Sequence, residues 1–389
     1  MIEHPVEKAN FVLGIDFIMS IKRAIVSVTN DLTTDQRVDR TCRTLVKMGY
    51  AVLLIGRQRK DSQTLLPREY RMHRMELLFD KGPLFYAEYN FRLFLFLIFH
   101  KSAILIANDL DTLLANYLAS KLKAVNLALD CHEYFRGVPE LVGRKITTRI
   151  WKGIEDWIFP KLKKVIAVND SVAKLYCEEY GVQVSVIRNV PYRKTMTGAK
   201  SKTELGIRQE QKVILYQGAV NLDRGLEEAI LAMNYIRSDA ILVIAGIGDL
   251  FEKLKKITRE QGLSDRVMFL GQIPFQQLHA FTLMADIGLS VEKDVSLNYH
   301  YCLPNKFLDY IQAEVPVLVS PFPEMVAILD HYFIGETIEK HDPEYLAGKL
   351  DEMLTNPERL ALYKQNLAKA AGELCWENEE KKLLLIFDF

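Results

Sequence analysis

The sequence predicts an α/β protein built from two doubly wound parallel-sheet domains that face each other across a cleft. Short, continuous apolar runs alternate with helical patterns along most of the chain. That alternation stops once, in a turn-rich basic stretch, and then restarts. Strands apolar on both faces belong in a sheet covered by helices on both sides, which is the parallel arrangement. A chain of 389 residues is long enough for two such cores.

The first unit begins with AIVSV after Arg23, then a helix from about Asp35 to Met48 and the strand AVLLIG. A long apolar helix near 86–100, the strand AILIAN and a helix around Leu110–Lys121 follow. The strand LALD, a polar loop, a helix around Thr147–Phe159 and the strand VIAVN complete it. This reads as one Rossmann-like domain over residues 1–194, with 1–20 as a loose extension. NVPYRKTMTGAKSKTELG (Asn189–Gly206) reads as a flexible linker. The second domain, 195–370, alternates KVILYQG, helix Leu226–Ile236, AILVIAG, helix Leu250–Gln261, VMFLGQI, helix Phe275–Met284, IGLSV, helix Asn305–Ala313 and PVLVS. Pro343–Leu362 and Leu367–Phe389 are helical by pattern, and the helix over about 371–389 is expected to pack back on the first domain.

Composition narrows the function classes. Fifty basic and fifty acidic residues give a net charge of +0, so no global field draws the chain to nucleic acid. Five scattered cysteines without a CxxC pair argue against a disulfide framework or a zinc knuckle and fit a reducing cytoplasm. The N-terminus lacks a basic n-region, so it does not read as a signal peptide. FRLFLFLIF (Phe91–Phe99) is too short to cross a bilayer and reads as a buried helix, with a membrane-dipping helix as the alternative. From Arg144 to Lys164, seven basic residues face only Glu155 and Asp156, with Trp151 and Trp157 interleaved. Such a patch is either a solvated helix face or a contact for a lipid-pyrophosphate acceptor or for anionic lipid headgroups at the inner face of the cell membrane.

Three strand-to-helix junctions carry the chemistry. In YQGAVNLDRGLEEAI, Gly218 ends a strand and Arg224-Gly225 opens a helix whose free N–H groups and dipole suit an anion. In AGIGDLFEKLKK, Gly246 and Gly248 start a GxGxxG that Phe251 breaks, which disfavours a nicotinamide cofactor and leaves a nucleotide-packing loop or a tight structural turn. In NYHYCLPNKFLDYIQAEVPVLVS, Pro304 permits a helix from Asn305, with Lys306 and Asp309 on one face of its first turns. Lysine suits phosphate or sugar oxygens and a carboxylate suits ribose hydroxyls; the plain alternative is a surface ion pair between the two.

On the facing domain, His132 and Glu133 follow the fourth strand, while Asn30, Asp31 and Asp35 follow the first. A near-neutral histidine there can donate to or accept from a sugar hydroxyl. Asp109 and Asp111 read as a helix cap or part of the same wall, and no metal site is expected.

The runs PNKFLDYIQAEVPVLVS, QGAVNLDRGLEEAI and LVIAGIGDLFEKL resemble the nucleotide-sugar half of family-four retaining glycosyltransferases of the two-Rossmann, GT-B type. SVTNDLTTDQRVDRTCRTLVKMGYAVLLI is similar to their opening strand, loop and helix, so the resemblance runs from Lys22 to the end. It implies transfer of a sugar from a nucleotide-diphosphate donor to a glycan or lipid-linked acceptor, with retention and without a metal or other cofactor. It implies Gly218 and Arg224 at the diphosphate, Asn305 and Lys306 in the donor motif, Asp309 on the ribose, His132 at the sugar and the first domain around the acceptor. Ala219 departs from the family's usual arginine, and Tyr301 stands where the first glutamate of its paired motif belongs; Glu292 lies too far back for that register. A nucleotide-sugar epimerase and a non-catalytic nucleotide-sugar binder are the competing readings.

Overall fold

The computed structural model describes residues 22–138, 141 and 143–388; the extension expected over 1–20 lies outside the described residues. Two all-parallel sheets carry the fold. The first holds seven strands in the order β3-β2-β1-β4-β5-β6-β7, namely β1 (Arg23–Ser27), β2 (Ala51–Arg57), β3 (Arg71–Met75), β4 (Ile104–Asn108), β5 (Asn126–Cys131), β6 (Val165–Ala167) and β7 (Val184–Val186). The second holds six in the order β10-β9-β8-β11-β12-β13, namely β8 (Lys212–Gln217), β9 (Ala240–Ala245), β10 (Val267–Gly271), β11 (Ile287–Ser290), β12 (Val317–Val319) and β13 (Gly335–Thr337). The expected central strands are all present. The edges β3, β7 and β13 lie outside the expected alternation, because their polar or three-residue runs lack an apolar core signal.

Strand order reverses between β1 and β4 and again between β8 and β11. Crossovers leave those points in opposite directions, so the carboxyl ends of the strands open a crevice there. Helices cover both faces of each sheet. Against the first lie α1 (Gln36–Lys47), α2 (Gly82–Phe99), α3 (Leu110–Lys123), α4 (Lys145–Ile158) and α5 (Asp170–Tyr180). Asp35 caps α1 by accepting from Val38 N at 3.0 Å, and Asn169 caps α5 through Val172 N at 2.9 Å.

The long apolar helix is only half buried, contrary to expectation. Phe85, Tyr89, Leu93 and Leu97 of α2 enter the core, while Leu84, Phe91, Leu95 and Phe99 face outward. Among the described residues no helix is long and apolar enough to cross a membrane. Of the two tryptophans in the basic segment, Trp151 is buried against Tyr86 and Phe135, and only Trp157 is exposed.

The second sheet is wrapped by α6 (Leu226–Ala232), α7 (Phe251–Glu260), α8 (Phe275–Thr282), α9 (Leu297–His300), α10 (Asn305–Gln312), α11 (Pro323–Tyr332), α12 (Pro343–Leu354) and α13 (Pro357–Glu373). The helical tail is therefore three helices rather than two, because Asn356 caps α13 and the chain turns again at Cys375. The last helix, α14 (Trp376–Phe387), buries Trp376, Leu383 and Phe387 in the first domain's core beside Val38 and Leu45 of α1.

The linker is not loose. Lys194 N donates to Gln312 Oε1, Lys200 N to Ala280 O at 2.7 Å, and Trp376 N to Pro191 O at 2.8 Å. Its turn-forming composition follows the surface of the second domain and is held there by backbone hydrogen bonds.

Candidate functional site

His132 follows β5 at the carboxyl edge of the first sheet and is enclosed by acceptors. Its Nε2 lies 3.0 Å from Asn108 Oδ1 and 3.5 Å from Asp130 Oδ2, and its Nδ1 lies 3.6 Å from Asp109 Oδ2. Asn108 is turned this way because its Nδ2 donates to Ser27 O at 3.0 Å. Asp130 is buried beneath the ring and grips the buried guanidinium of Arg37. Burial opposes charge on His132, but Asp109 and the hydrogen bond and charge of Asp130 outweigh it and push its pKa up to about 9. The same three oxygens make His132 hold its proton more tightly than a free imidazole does, where the sequence led to the expectation of a near-neutral histidine.

Asp109 starts α3 at φ 58°, a strained setting for a non-glycine residue. Its side chain makes no capping bond; Oδ1 instead accepts from His132 N at 2.7 Å. Asp111 Oδ2 accepts from Thr29 Oγ1 at 2.6 Å. Burial raises the pKa of both, Asp111 to about 6. Neither caps the helix as expected; both form the floor behind His132.

The other first-domain candidates are tied into their own loop. Asn30 Nδ2 donates to Asp35 Oδ2 at 2.9 Å, Asp31 accepts from Thr33 N and Oγ1, and Asp35 caps α1. Their side chains shape the loop after β1. Glu133 behaves differently: its Oε2 accepts from Asn298 Nδ2 of the second domain at 2.8 Å, so it spans the cleft.

On the second domain, Lys306 lies in the first turn of α10, 8% exposed, with Nζ on the carboxylate of Glu292 and over the Tyr216 ring at 4.5 Å. Arg224 Nη1 stands 3.8 Å from the same Glu292 carboxylate, and its guanidinium lies over the Tyr299 ring at 5.0 Å. Glu292 is fully buried after β11. Burial would raise its pKa, yet Lys306 beside it holds it below the usual glutamate value; in return Glu292 keeps buried Lys306 charged, against the desolvation that favours loss of its proton. Sequence spacing set Glu292 aside, and the structure makes it the hinge of the cation pair. Its signal was chemical: a lone acid directly after a buried strand at a reversal of strand order.

Gly218 lies directly above Lys306, since a Cβ there would sit 3.4 Å from Lys306 Cε. Gly246 and Gly248 serve that loop from behind. A Cβ on Gly246 would fall 1.8 Å from Gly218 O, and one on Gly248 would fall 2.2 Å from Asn221 Oδ1. Protein backbone and Asn221 fill the space these glycines leave, so the two loops stack as a tight structural turn. Helix α6 is shorter than expected, and its first turn carries Glu227 and Glu228, each bound to a lysine, so Arg224 is the loop's cation.

Asp309 does not pair with Lys306. Its Oδ1 meets Lys194 of the linker at 2.7 Å, and its Oδ2 accepts from Gln217 Nε2 at 3.2 Å. Asn305 accepts from Asn189 Nδ2 at 2.9 Å, which lays the start of α10 against the end of the first domain. Tyr301, partly buried, packs against the first domain's core, and its carbonyl accepts from Asn169 Nδ2 at 2.6 Å. Ser171 N donates to Glu324 Oε1 at 2.7 Å across the same seam. Tyr299, Arg224, Glu292 and Lys306 therefore stand opposite the loop that carries His132 and Glu133, joined to it through Asn298. Among the described residues no group of three His, Cys, Asp or Glu side chains is arranged to hold a metal ion.

Two parallel-sheet domains whose strand ends meet across such a cleft define the GT-B class of architecture. Residues 199–370 match the family model described as glycosyl transferases group 1, and residues 35–190 match glycosyltransferase family 4. The chain belongs to these glycosyltransferase families, one model on each domain. It is 26% identical over 191 residues to the uncharacterized glycosyltransferase MJ1607 of Methanocaldococcus jannaschii, covering 48% of this chain and 47% of that one, so the match spans about half the relative's length. The fold is similar to sucrose-phosphate synthase of Thermosynechococcus elongatus, with a TM-score of 0.76 at 15% identity over 94% of this chain and 98% of the other. It is also similar to HepE of Anabaena in complex with UDP-glucose, with a TM-score of 0.72 at 14% identity over 93% and 98%.

Proposed function

We propose that the protein transfers a sugar from a nucleotide-diphosphate donor to a glycan or lipid-linked acceptor, with retention and without a metal. Residues 195–370 are the donor half; residues up to 194, joined by the C-terminal helix, are the acceptor side. The observation that carries this reading is the convergence of Arg224 and Lys306 on buried Glu292 beneath Gly218, at the strand ends of the second sheet. Two cations sharing one carboxylate leave a positive balance for an anion entering the cleft. As the glycosidic bond stretches, charge grows on the leaving diphosphate, and a guanidinium and an ammonium already in place stabilise it without reorganising. Glu292 fixes both before the ligand arrives.

Nucleoside entry exchanges partners at Asp309. The ribose hydroxyls take the carboxylate that Lys194 and Gln217 occupy, which releases a linker contact as the donor seats. His132 donates a hydrogen bond to a sugar oxygen from the facing wall. The acceptor attacks on the face the diphosphate leaves, and a phosphate oxygen of the leaving group takes its proton. The five unpaired cysteines support a reducing, cytoplasmic compartment.

A panel of nucleotide sugars assayed with glycan and lipid-linked acceptors tests the proposal. One donor yields a transferred product, and Arg224→Ala lowers kcat/KM on it by about a hundredfold, the loss of one strong charge contact in the transition state. Epimerised donor without transfer, or binding without turnover, overturns the reading.

A further inference from the structure

We propose that the outer helical layer of the first domain, formed by α2, α3 and α4, is a docking surface for an anionic lipid bilayer. This goes beyond the transfer reading and holds whatever sugar is moved. The three helices lie side by side on one face of the first sheet, α2 against α3 and α3 against α4, with their inner sides in shared cores.

Their outer sides are apolar in register. On α2, Leu84, Phe91, Leu95 and Phe99 form one stripe at helical spacing, with Phe99 80% exposed. On α4, Ile146, Ile150 and Trp157 form another, with Ile146 78% exposed. Leu122 of α3, 72% exposed, belongs to the helix between them, and the Tyr117 and Trp157 rings meet at 5.5 Å where α3 crosses to α4. Single exposed apolar side chains are ordinary on a soluble surface; ordered stripes on neighbouring helices are not.

Charge on this face identifies the occupant. Arg144, Lys145, Arg149, Lys161 and Lys163 are exposed along and beyond α4. Lys121 and Lys161 lie over the Tyr117 and Trp157 rings, at 5.3 and 5.1 Å. Of the segment's acids, Glu155 is buried on Arg136, and Asp156, half exposed, pairs with Lys152 of the same helix. Apolar side chains set between exposed cations fit the boundary of a bilayer with anionic headgroups, the cations at phosphate level and the isoleucines, phenylalanines and tryptophan below it. A second copy of the chain fits poorly, because a twofold pairing of this face brings like charges together. The layer lies along the membrane rather than through it, since the opposite side of α2 is committed to the core.

The test is cosedimentation of the full chain with vesicles of phosphatidylcholine alone and of phosphatidylcholine mixed with phosphatidylglycerol. The expected result is binding to the anionic vesicles that falls as salt is raised. The double variants Ile150→Ser/Trp157→Ser and Phe91→Ser/Phe99→Ser each weaken it by about tenfold or more. All four side chains are exposed, so the melting temperature should stay close to that of the parent, and transfer to a soluble acceptor should persist. No sedimentation with anionic vesicles, equal binding by both double variants, or a wild-type dimer in lipid-free solution that the same substitutions dissolve would overturn the proposal.

Discussion

At the residue scale the site is governed by who holds which charge. His132 carries its proton well above the ordinary imidazole value of 6.5 because Asp109 and Asp130 outweigh the cost of burial. Since the folded value is raised, the stability His132 contributes is fully present below pH 6.5 and is lost as the pH rises through about 9. An NMR titration of the imidazole should show a midpoint near 9, and Asp109→Asn should shift it down toward 6.5; a wild-type midpoint of 6.5 would contradict the assignment. Arg224, Lys306 and His132 were legible as candidates because residue type and position after a strand are written in the chain. Glu292 was not: its role depends on folding three separate loops onto one point, and motif spacing carries no record of that.

At the scale of elements, the glycines after β8 and β9 act as a stacked pair. Gly246→Ala places a methyl group against Gly218 O, so the two loops must part. The expected outcome is a loss of about 1–3 kcal/mol in denaturant unfolding, with weaker nucleotide binding as Gly218 moves off Lys306. Unchanged stability and affinity would show that the loops are not coupled. Central strands and most helices could be read directly from their apolar runs and capping residues. Edges could not: RMHRM of β3 is polar and basic, since a strand at the sheet's margin packs on one side and meets solvent on the other. The apolar run of α2 misled in the other direction, because hydrophobicity alone does not distinguish a helix buried all round from one with an apolar face left outside.

At the scale of the whole molecule, the two domains are fastened by Asn189 on Asn305, Glu133 on Asn298 and Lys194 on Asp309. The two-domain plan was visible in the sequence as a single interruption of the strand and helix rhythm. The fastening was not, since each pair joins residues more than a hundred positions apart. Lys194→Met removes the linker's hold on Asp309, the carboxylate proposed for the ribose, and nucleoside diphosphate affinity should rise by about two- to fivefold, the range of one partly exposed ion pair. A fall as large as that from Arg224→Ala would mean that Lys194 grips the ligand itself.

Central to the proposed transfer is a diphosphate seated between the domains on the cations around Glu292. Calorimetric titration of uridine, guanosine and adenosine diphosphates into the protein and its Arg224→Ala variant measures this most directly. One of the three should bind the parent protein and bind the variant at least about tenfold more weakly, the loss of a charge-assisted hydrogen bond. Equal affinity for parent and variant would contradict it.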